Sequence, residues 1–249
     1  MLLQALREEV LEANLELVRR GLVLYTFGNV SGIDRGQGLV AIKPSGVAYA
    51  DLTPEKIVIS DLEGKIVDGA LRPSSDLATH LELYKHFGKI GGVAHTHSEY
   101  ATAWAQAEME IPCFGTTHAD YFQGRIPVTA LLSTEAIAGD YERETGLAIC
   151  RRFRELDPEA MPAALVAGHG PFCWGASAAE AAHNAVILEY VARVGCHTVS
   201  INAEARPLQL ALRDRHFLRK HGGQAYYGQA NPEPKKPAGE AEAETEAKQ

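Results

Sequence analysis

The N-terminal segment carries apolar side chains at intervals of three and four positions, from Leu2 to Val18. This spacing puts them on one face of a helix, which we expect to end near Gly21. Short apolar runs separated by glycine-containing turns follow as far as residue 69, and they predict antiparallel strands. The runs cover residues 22–26, 39–42, 57–59 and 65–67.

From residue 74 onward, helical patterns alternate with short apolar runs. Helices are predicted over about 74–87, 98–106, 142–156, 177–195 and 207–221, and strands over about 90–97 and 163–167. Serines at positions 74 or 75, 98 and 177 are placed to cap three of these helices. The segment 111–132 shows only short, irregular strand patterns. Strands flanked by helices on more than one side predict an α/β fold, a three-layer α/β/α sandwich around a largely antiparallel sheet.

The composition is that of an ordinary globular protein. The candidate functional residues run from residue 28 to residue 227 and have to converge, so we expect one domain over residues 1–229. From residue 230 to 249, proline, glutamate, lysine and alanine dominate and large apolar residues are absent, which predicts an acidic, disordered tail. A net charge of −8 argues against binding of nucleic acid, which requires a basic face.

The sequence also indicates the cellular compartment of the protein. The N-terminus lacks a basic stretch followed by an apolar one, and no apolar stretch approaches the length of a membrane span. The cysteines, at positions 113, 150, 173 and 196, are far apart and form no CxxC pair. They are typical of reduced thiols, so we expect a cytoplasmic protein that does not interact with membranes.

Two histidines, His95 and His97, end an apolar run that begins at residue 90. In a strand, side chains two positions apart point to the same side, so the two imidazoles should converge. His169 follows another apolar run and lies between two glycines, which allow close approach. Three histidines at strand ends would leave a zinc ion an open position, as catalytic zinc sites do. His80 and His86, in contrast, lie in a predicted helix and are interpreted as surface residues.

Other polar residues have more than one interpretation. Asp76 could complement the dipole of a helix start, or it could be a fourth metal ligand or an acid or base beside the metal. Asp120 stands in an unusual polar patch between apolar segments, although aspartate also commonly forms turns. Tyr227 could anchor the chain end or donate a proton. Three loops of small residues, at 27–31, 43–46 and 72–75, could cradle a phosphate or be ordinary turns.

Together these residues resemble the class II aldolase/epimerase family over residues 1–229. The matching stretches are GNVS at 28–31, KPSG at 43–46, PSSD at 73–76, HTHS at 95–98, GTTHADY at 115–121, HGPF at 169–172, LRKHG at 218–222 and YYGQ at 226–229. The histidine motif is shared across the family, whereas the segments around Asp76, Asp120 and Tyr227 are more specific to its epimerases. The related aldolases carry a glutamate at the position of Asp76.

The resemblance implies a role for each of these positions. Four residues would bind one zinc ion per subunit, or manganese or cobalt in its place: Asp76, His95, His97 and His169. Asp120 and Tyr227 would be the catalytic acid/base pair, with His216 as a secondary candidate. Six residues would hold the substrate, mostly its phosphate: Gly28, Asn29, Ser45, Gly46, Ser74 and Ser75. The family also implies a homotetramer with active sites at subunit interfaces.

The implied activity is that of a sugar-phosphate 4-epimerase, which interconverts L-ribulose 5-phosphate and D-xylulose 5-phosphate. The hydrogen on C4 is not acidic because C4 is not next to the C2 ketone, so the C3–C4 bond would break by a retro-aldol step and re-form with C4 inverted. Two alternatives remain: an aldolase of the same family that stops after cleavage, and a non-enzymatic member. Asp76 and the Asp120 segment argue against the first, and the intact histidines argue against the second.

Overall fold

The computed structural model describes residues 1–223 and 225–226. In this part of the chain the helices are α1 (Gln4–Arg19), α2 (Leu77–His86), α3 (Glu99–Gln106), α4 (Thr116–Ala119), α5 (Thr134–Ala138), α6 (Tyr141–Arg152), α7 (Ala178–Ile201) and α8 (Leu210–His221). The strands are β1 (Asn29–Asp34), β2 (Leu39–Ile42), β3 (Val58–Asp61), β4 (Ile66–Asp68), β5 (Gly92–His95), β6 (Ala163–Val166) and β7 (Gly170–Gly175). None of the helices in residues 1–223 combines the length and the apolar composition that crossing a bilayer requires. Tyr227 and the predicted tail, 230–249, lie outside the described residues.

These strands form one sheet in the order β4-β3-β2-β1-β5-β7-β6, and neighbouring strands are antiparallel. Helices cover both faces. A Cβ at Gly32 of β1 would lie 2.9 Å from Leu6 and 3.1 Å from Val10, so this face of the sheet packs against α1. The next residue back, Ser31, contacts Tyr84 of α2 on the opposite face, where α6 packs against α2. The predicted three-layer α/β/α sandwich with an antiparallel sheet is therefore confirmed.

Several local predictions were wrong. Residues 22–26 form no strand, because Leu24 and Tyr25 are exposed rather than paired. The sheet instead begins with β1, which overlaps the predicted loop 27–31. β1 and β7 lack a clear alternation of polar and apolar residues because both are buried along nearly their whole length. The segment 111–132 contains isolated bridges instead of the predicted short strands, and also the short helix α4, which was not predicted.

The predictions of the helix caps are confirmed only in part. The Ser177 hydroxyl accepts a hydrogen bond from the backbone N–H of Glu180, so this predicted cap is confirmed. No serine side chain caps α2 or α3. At α3, the two carboxylate oxygens of Glu189 accept hydrogen bonds from the backbone N–H groups of Tyr100 and Ala101, each at 2.9 Å. The start of α3 is therefore fixed by α7 rather than by its own sequence.

The polar segments singled out in the sequence lie together at one end of the sheet. Asn29 at the start of β1 pairs with His95 at the end of β5, and His95 pairs in turn with Phe172 of β7. The turn between β6 and β7 lies at the same end. β2 runs antiparallel to β1, so the loop that follows Ile42 also emerges there. Segments far apart in sequence thus meet at a single edge.

Candidate metal centre

Three histidines converge at this end of the sheet. His95 is the last residue of β5, His97 lies two residues beyond it, and His169 lies in the turn between β6 and β7. The Nε2 atoms of His95 and His97 are 3.1 Å apart, and the ligand nitrogens of the three residues lie within 4.8 Å of one another. His95 is buried, His169 is half-buried and His97 is exposed, so the cluster opens to one side.

The surroundings of these histidines fit a divalent metal ion. The Nδ1 of His95 lies 2.9 Å from the carbonyl oxygen of Pro171, to which it donates a hydrogen bond, so its Nε2 presents a lone pair to the cluster. Burial lowers the pKa of His169 to about 4, and the other two histidines make a smaller contribution to this decrease. His97 is exposed on one side only, and the partial desolvation of its ring, together with the neighbouring His95, also lowers its pKa. Neutral imidazoles ligate metals, and three of them beside an open position are the donor set of a catalytic zinc site.

Asp76 lies beside the histidine cluster without being part of it. It lines the same cavity, and its Oδ2 accepts hydrogen bonds from Nδ2 of Asn29 at 2.6 Å and from the hydroxyl of Ser74 at 3.4 Å. Burial raises the pKa of Asp76, but the nearby imidazoles of His95 and His80 and the hydrogen bond from Asn29 outweigh it and hold the pKa below its usual value. Asp76 is therefore ionised at neutral pH. Its role as a fourth ligand stays a prediction.

The cavity around the histidines has a volume of about 640 Å³. The six residues predicted to hold the substrate all line it: Gly28, Asn29, Ser45, Gly46, Ser74 and Ser75. Gly28 has a φ of 78°, and a Cβ at this position would lie 2.7 Å from the carbonyl oxygen of His95. Only glycine allows the loop to approach β5 so closely. The hydroxyl of Tyr49 holds the same loop through the carbonyl oxygens of Phe27 and Gly28, at 3.1 and 2.9 Å.

The structure adds residues that the sequence analysis did not single out. Lys43 is only 2% exposed, and its ammonium group lies over the ring of Tyr49, 4.8 Å from the centroid. Burial lowers the pKa of Lys43, which lines the cavity together with Tyr141 and Glu142 from the start of α6. The sequence did offer a signal for Lys43, since a lysine next to a small-residue loop in a negatively charged chain is a candidate for binding an anion. Tyr141 and Glu142 stand in an ordinary helical pattern, which gives none.

Asp120 lies elsewhere in the chain. It follows α4, and it is not among the described residues that line the cavity. Its carboxylate accepts hydrogen bonds from Arg219 at 2.9 and 2.7 Å and from Nδ1 of His216 at 3.0 Å, both on α8. Burial raises the pKa of Asp120, but the hydrogen bonds from Arg219 and His216 outweigh it and keep the pKa low. The structure thus joins Asp120 with His216 but does not bring it to the histidine cluster of the same chain.

The prediction that His80 is a surface residue of its helix was wrong. It is fully buried, with Nδ1 2.7 Å from the hydroxyl of Ser31, which lies 2.8 Å from the hydroxyl of Tyr84. Burial lowers the pKa of His80 to about 3, so the imidazole is neutral. The helix was predicted correctly, but this side of α2 faces the sheet. His86 is exposed, as expected.

Comparisons with known proteins agree with this geometry. Residues 8–196 match the family model described as the Class II Aldolase and Adducin N-terminal domain. A curated relative from Salmonella paratyphi B, L-ribulose-5-phosphate 4-epimerase UlaF, is 52% identical over 227 residues, which cover 91% of this chain and 100% of the relative. A solved L-fuculose 1-phosphate aldolase shares the fold, with a TM-score of 0.72 and 24% identity over 85% of this chain and 94% of its own. The L-fuculose-1-phosphate aldolase of Thermus thermophilus gives a TM-score of 0.64 and 25% identity over 82% and 100% of the two chains.

Proposed function

The chain belongs to the class II aldolase and adducin N-terminal domain family, and we propose that it is an L-ribulose-5-phosphate 4-epimerase, which forms D-xylulose 5-phosphate. The observation that carries this proposal is the 52% identity to an epimerase of that name over the relative's full length. The cluster of His95, His97 and His169 in a polar cavity supports it, since the retro-aldol chemistry requires a site that can hold a metal. The protein is an isomerase-type enzyme that acts on a sugar phosphate.

The phosphate of the substrate binds in the small-residue loops. The hydroxyls of Ser45, Ser74 and Ser75 donate hydrogen bonds to it, and the ammonium group of Lys43 supplies the positive charge that the acidic chain otherwise lacks. These contacts tether the phosphate-bearing fragment after the C3–C4 bond has broken. The fragment can then turn over without leaving the cavity.

Proton transfer at the C4 oxygen belongs to Asp120 and Tyr227. His95, His97 and His169 would hold a divalent metal, which would supply Lewis-acid stabilisation of the negative charge that develops on the substrate. Removal of the C4 hydroxyl proton by one of the two groups lets the C3–C4 bond break into dihydroxyacetone enediolate and glycolaldehyde phosphate. The aldehyde rotates, the bond re-forms on its other face, and the second group returns a proton to the C4 oxygen.

The metal is zinc in this proposal, with Asp76 as an additional ligand, and manganese or cobalt can replace it. Asp120 must reach the cavity from a neighbouring subunit, since it does not line the cavity of its own chain. A homotetramer with shared sites meets this requirement. Exposed apolar side chains before β1 support a subunit contact there: Leu24, Tyr25 and Phe27 are 68%, 89% and 54% exposed, and Phe27 lines the cavity. The cysteines are free, which fits a cytoplasmic enzyme.

The test is product analysis by NMR after the purified protein has been incubated with L-ribulose 5-phosphate, with and without a chelator. We expect D-xylulose 5-phosphate without free fragments, and no turnover once the chelator has removed the metal. Accumulation of dihydroxyacetone and glycolaldehyde phosphate would instead identify an aldolase. A zinc-loaded protein that leaves the substrate unchanged would contradict the proposed activity.

A further inference from the structure

Tyr141 contacts one of the clustered histidines through a single, specific hydrogen bond. It is the first residue of α6, and its hydroxyl lies 3.1 Å from Nδ1 of His169. The two rings are stacked, with an interplanar angle of 23° and 6.1 Å between centroids. α6 packs against both α2 and β6, so this tyrosine is carried by an element anchored on two sides. Its position beside His169 is fixed by the fold.

The hydrogen bond decides which nitrogen of His169 can bind a metal. Because Nδ1 is engaged by the tyrosine hydroxyl, Nε2 is the nitrogen left to serve as a ligand. A neutral imidazole that ligates through Nε2 carries its proton on Nδ1. When Nε2 of His169 binds a metal, the hydrogen bond would therefore run from Nδ1 of His169 to the phenol oxygen of Tyr141.

We propose that Tyr141 is a positioning residue of the metal site, which fixes the tautomer and the ring orientation of His169 through this hydrogen bond. The inference rests on the metal site of the proposed function but not on the sugar substrate. Partners of this kind hold ligating histidines in place, and their loss typically lowers metal affinity by about 10- to 100-fold.

His95 shows the same arrangement with a different partner. Its Nδ1 donates to the carbonyl oxygen of Pro171 at 2.9 Å, and its Nε2 faces the cluster. That partner belongs to the backbone, which a side-chain substitution does not remove. Tyr141 performs the equivalent task with a side chain, so its contribution can be measured directly.

The experiment compares zinc affinity, measured by competition with a chelator, in wild type, Tyr141→Phe and Tyr190→Phe. Phenylalanine keeps the stacked ring and removes only the hydroxyl, and Tyr190 on α7 is a matched tyrosine, 45% exposed, outside the cavity. We expect Tyr141→Phe to bind zinc about 10- to 100-fold more weakly, whereas Tyr190→Phe binds it as wild type does. The melting temperature of metal-free Tyr141→Phe should stay within about 2 °C of wild type.

A structural role would give a different result. Unchanged zinc affinity in Tyr141→Phe, or a loss of affinity matched by a lower melting temperature of the metal-free protein, would overturn the inference. Imidazole ¹⁵N spectra of the zinc-loaded wild type provide a second readout, since they should show His169 protonated at Nδ1, and ligation through Nδ1 would also overturn it. Weak zinc binding by Tyr141→Phe in a protein that does not epimerise L-ribulose 5-phosphate would contradict the proposed function alone.

Discussion

His97 is the exposed member of the histidine cluster, and its Nε2 lies 3.1 Å from that of His95. Asparagine at position 97 cannot place a nitrogen lone pair at the same point. We therefore expect His97→Asn to lose metal and activity together, each by more than about 100-fold, because a direct ligand contributes more than its supporting partners. Metal content by elemental analysis and turnover of L-ribulose 5-phosphate measure the two losses.

The matched control is His86→Asn, which removes an exposed histidine from α2. It should retain both metal and turnover. A His97→Asn variant that keeps full activity without metal would rule out the assignment of the histidine cluster.

Asp120 is expected to behave differently, since it serves proton transfer and not metal binding in the proposed mechanism. Its low pKa makes it ionised at neutral pH, so it can accept a proton from the C4 hydroxyl. The amide in Asp120→Asn cannot, and we expect kcat to fall by about 10²- to 10⁴-fold while zinc affinity stays within about twofold of wild type. Steady-state kinetics and chelator competition give both values.

Asp214→Asn provides the control, because it removes another carboxylate that is paired with an arginine in the same helical region. It should leave kcat near the wild-type value. If Asp120→Asn lost metal and activity in equal measure, Asp120 would have a structural role.

Residue types and their places at strand ends were sufficient to predict the histidine cluster. His95, His97 and His169 each follow an apolar run, and the antiparallel pairing brings those ends together. Lys43 and Tyr141 could not be predicted as surely, since their importance lies in burial and in a contact across 28 positions of sequence. His80 shows the same limit, because a helical pattern does not reveal which face of the helix meets the sheet.

At the scale of elements, α3 begins at Glu99, two residues after His97, so the start of this helix borders the segment that carries His97. Glu189 of α7 accepts hydrogen bonds from the backbone N–H groups of Tyr100 and Ala101, each at 2.9 Å. A carboxylate at a helix N-terminus satisfies unpaired donors and complements the helix dipole. We expect Glu189→Ala to lower the free energy of unfolding by about 1–2 kcal/mol, and Glu189→Gln, which keeps one acceptor oxygen, to lower it less.

Urea denaturation of the metal-free protein at fixed protein concentration measures these changes, and Glu155→Ala, at an exposed position, is the control. Equal stability of Glu189→Ala and wild type would mean that this contact does not hold the helix. The sequence indicated only Ser98 as a cap, because a carboxylate that lies 89 and 88 positions from the N–H groups it binds leaves no local pattern. The buried strands β1 and β7 escaped prediction for a related reason: their burial comes from layers packed on both faces, not from alternation along the chain.

At the scale of the whole molecule, the residues proposed for metal binding and for proton transfer are separated within one chain. One chain places the histidine cluster and the small-residue loops at one end of the sheet, whereas Asp120 pairs with α8 and does not line that cavity. If each active site combines the cavity of one subunit with Asp120 of the next, two inactive variants should complement each other. In a cyclic tetramer formed from equal amounts of Asp120→Asn and His97→Asn chains, about one site in four has both parts intact, so about a quarter of wild-type activity should return.

Co-expression of the two variants with different affinity tags, followed by purification on both tags, yields the mixed oligomers for the assay. The control mixture combines His97→Asn with His169→Asn, whose substitutions fall in the same cavity of one chain. No arrangement of those subunits restores a complete cluster, so that mixture should stay inactive. Recovery in the first mixture alone would show that the site is shared between subunits. Mixed oligomers of Asp120→Asn and His97→Asn without any recovery would mean that Asp120 serves no site but that of its own chain, and the proposed tetramer would lose its main support.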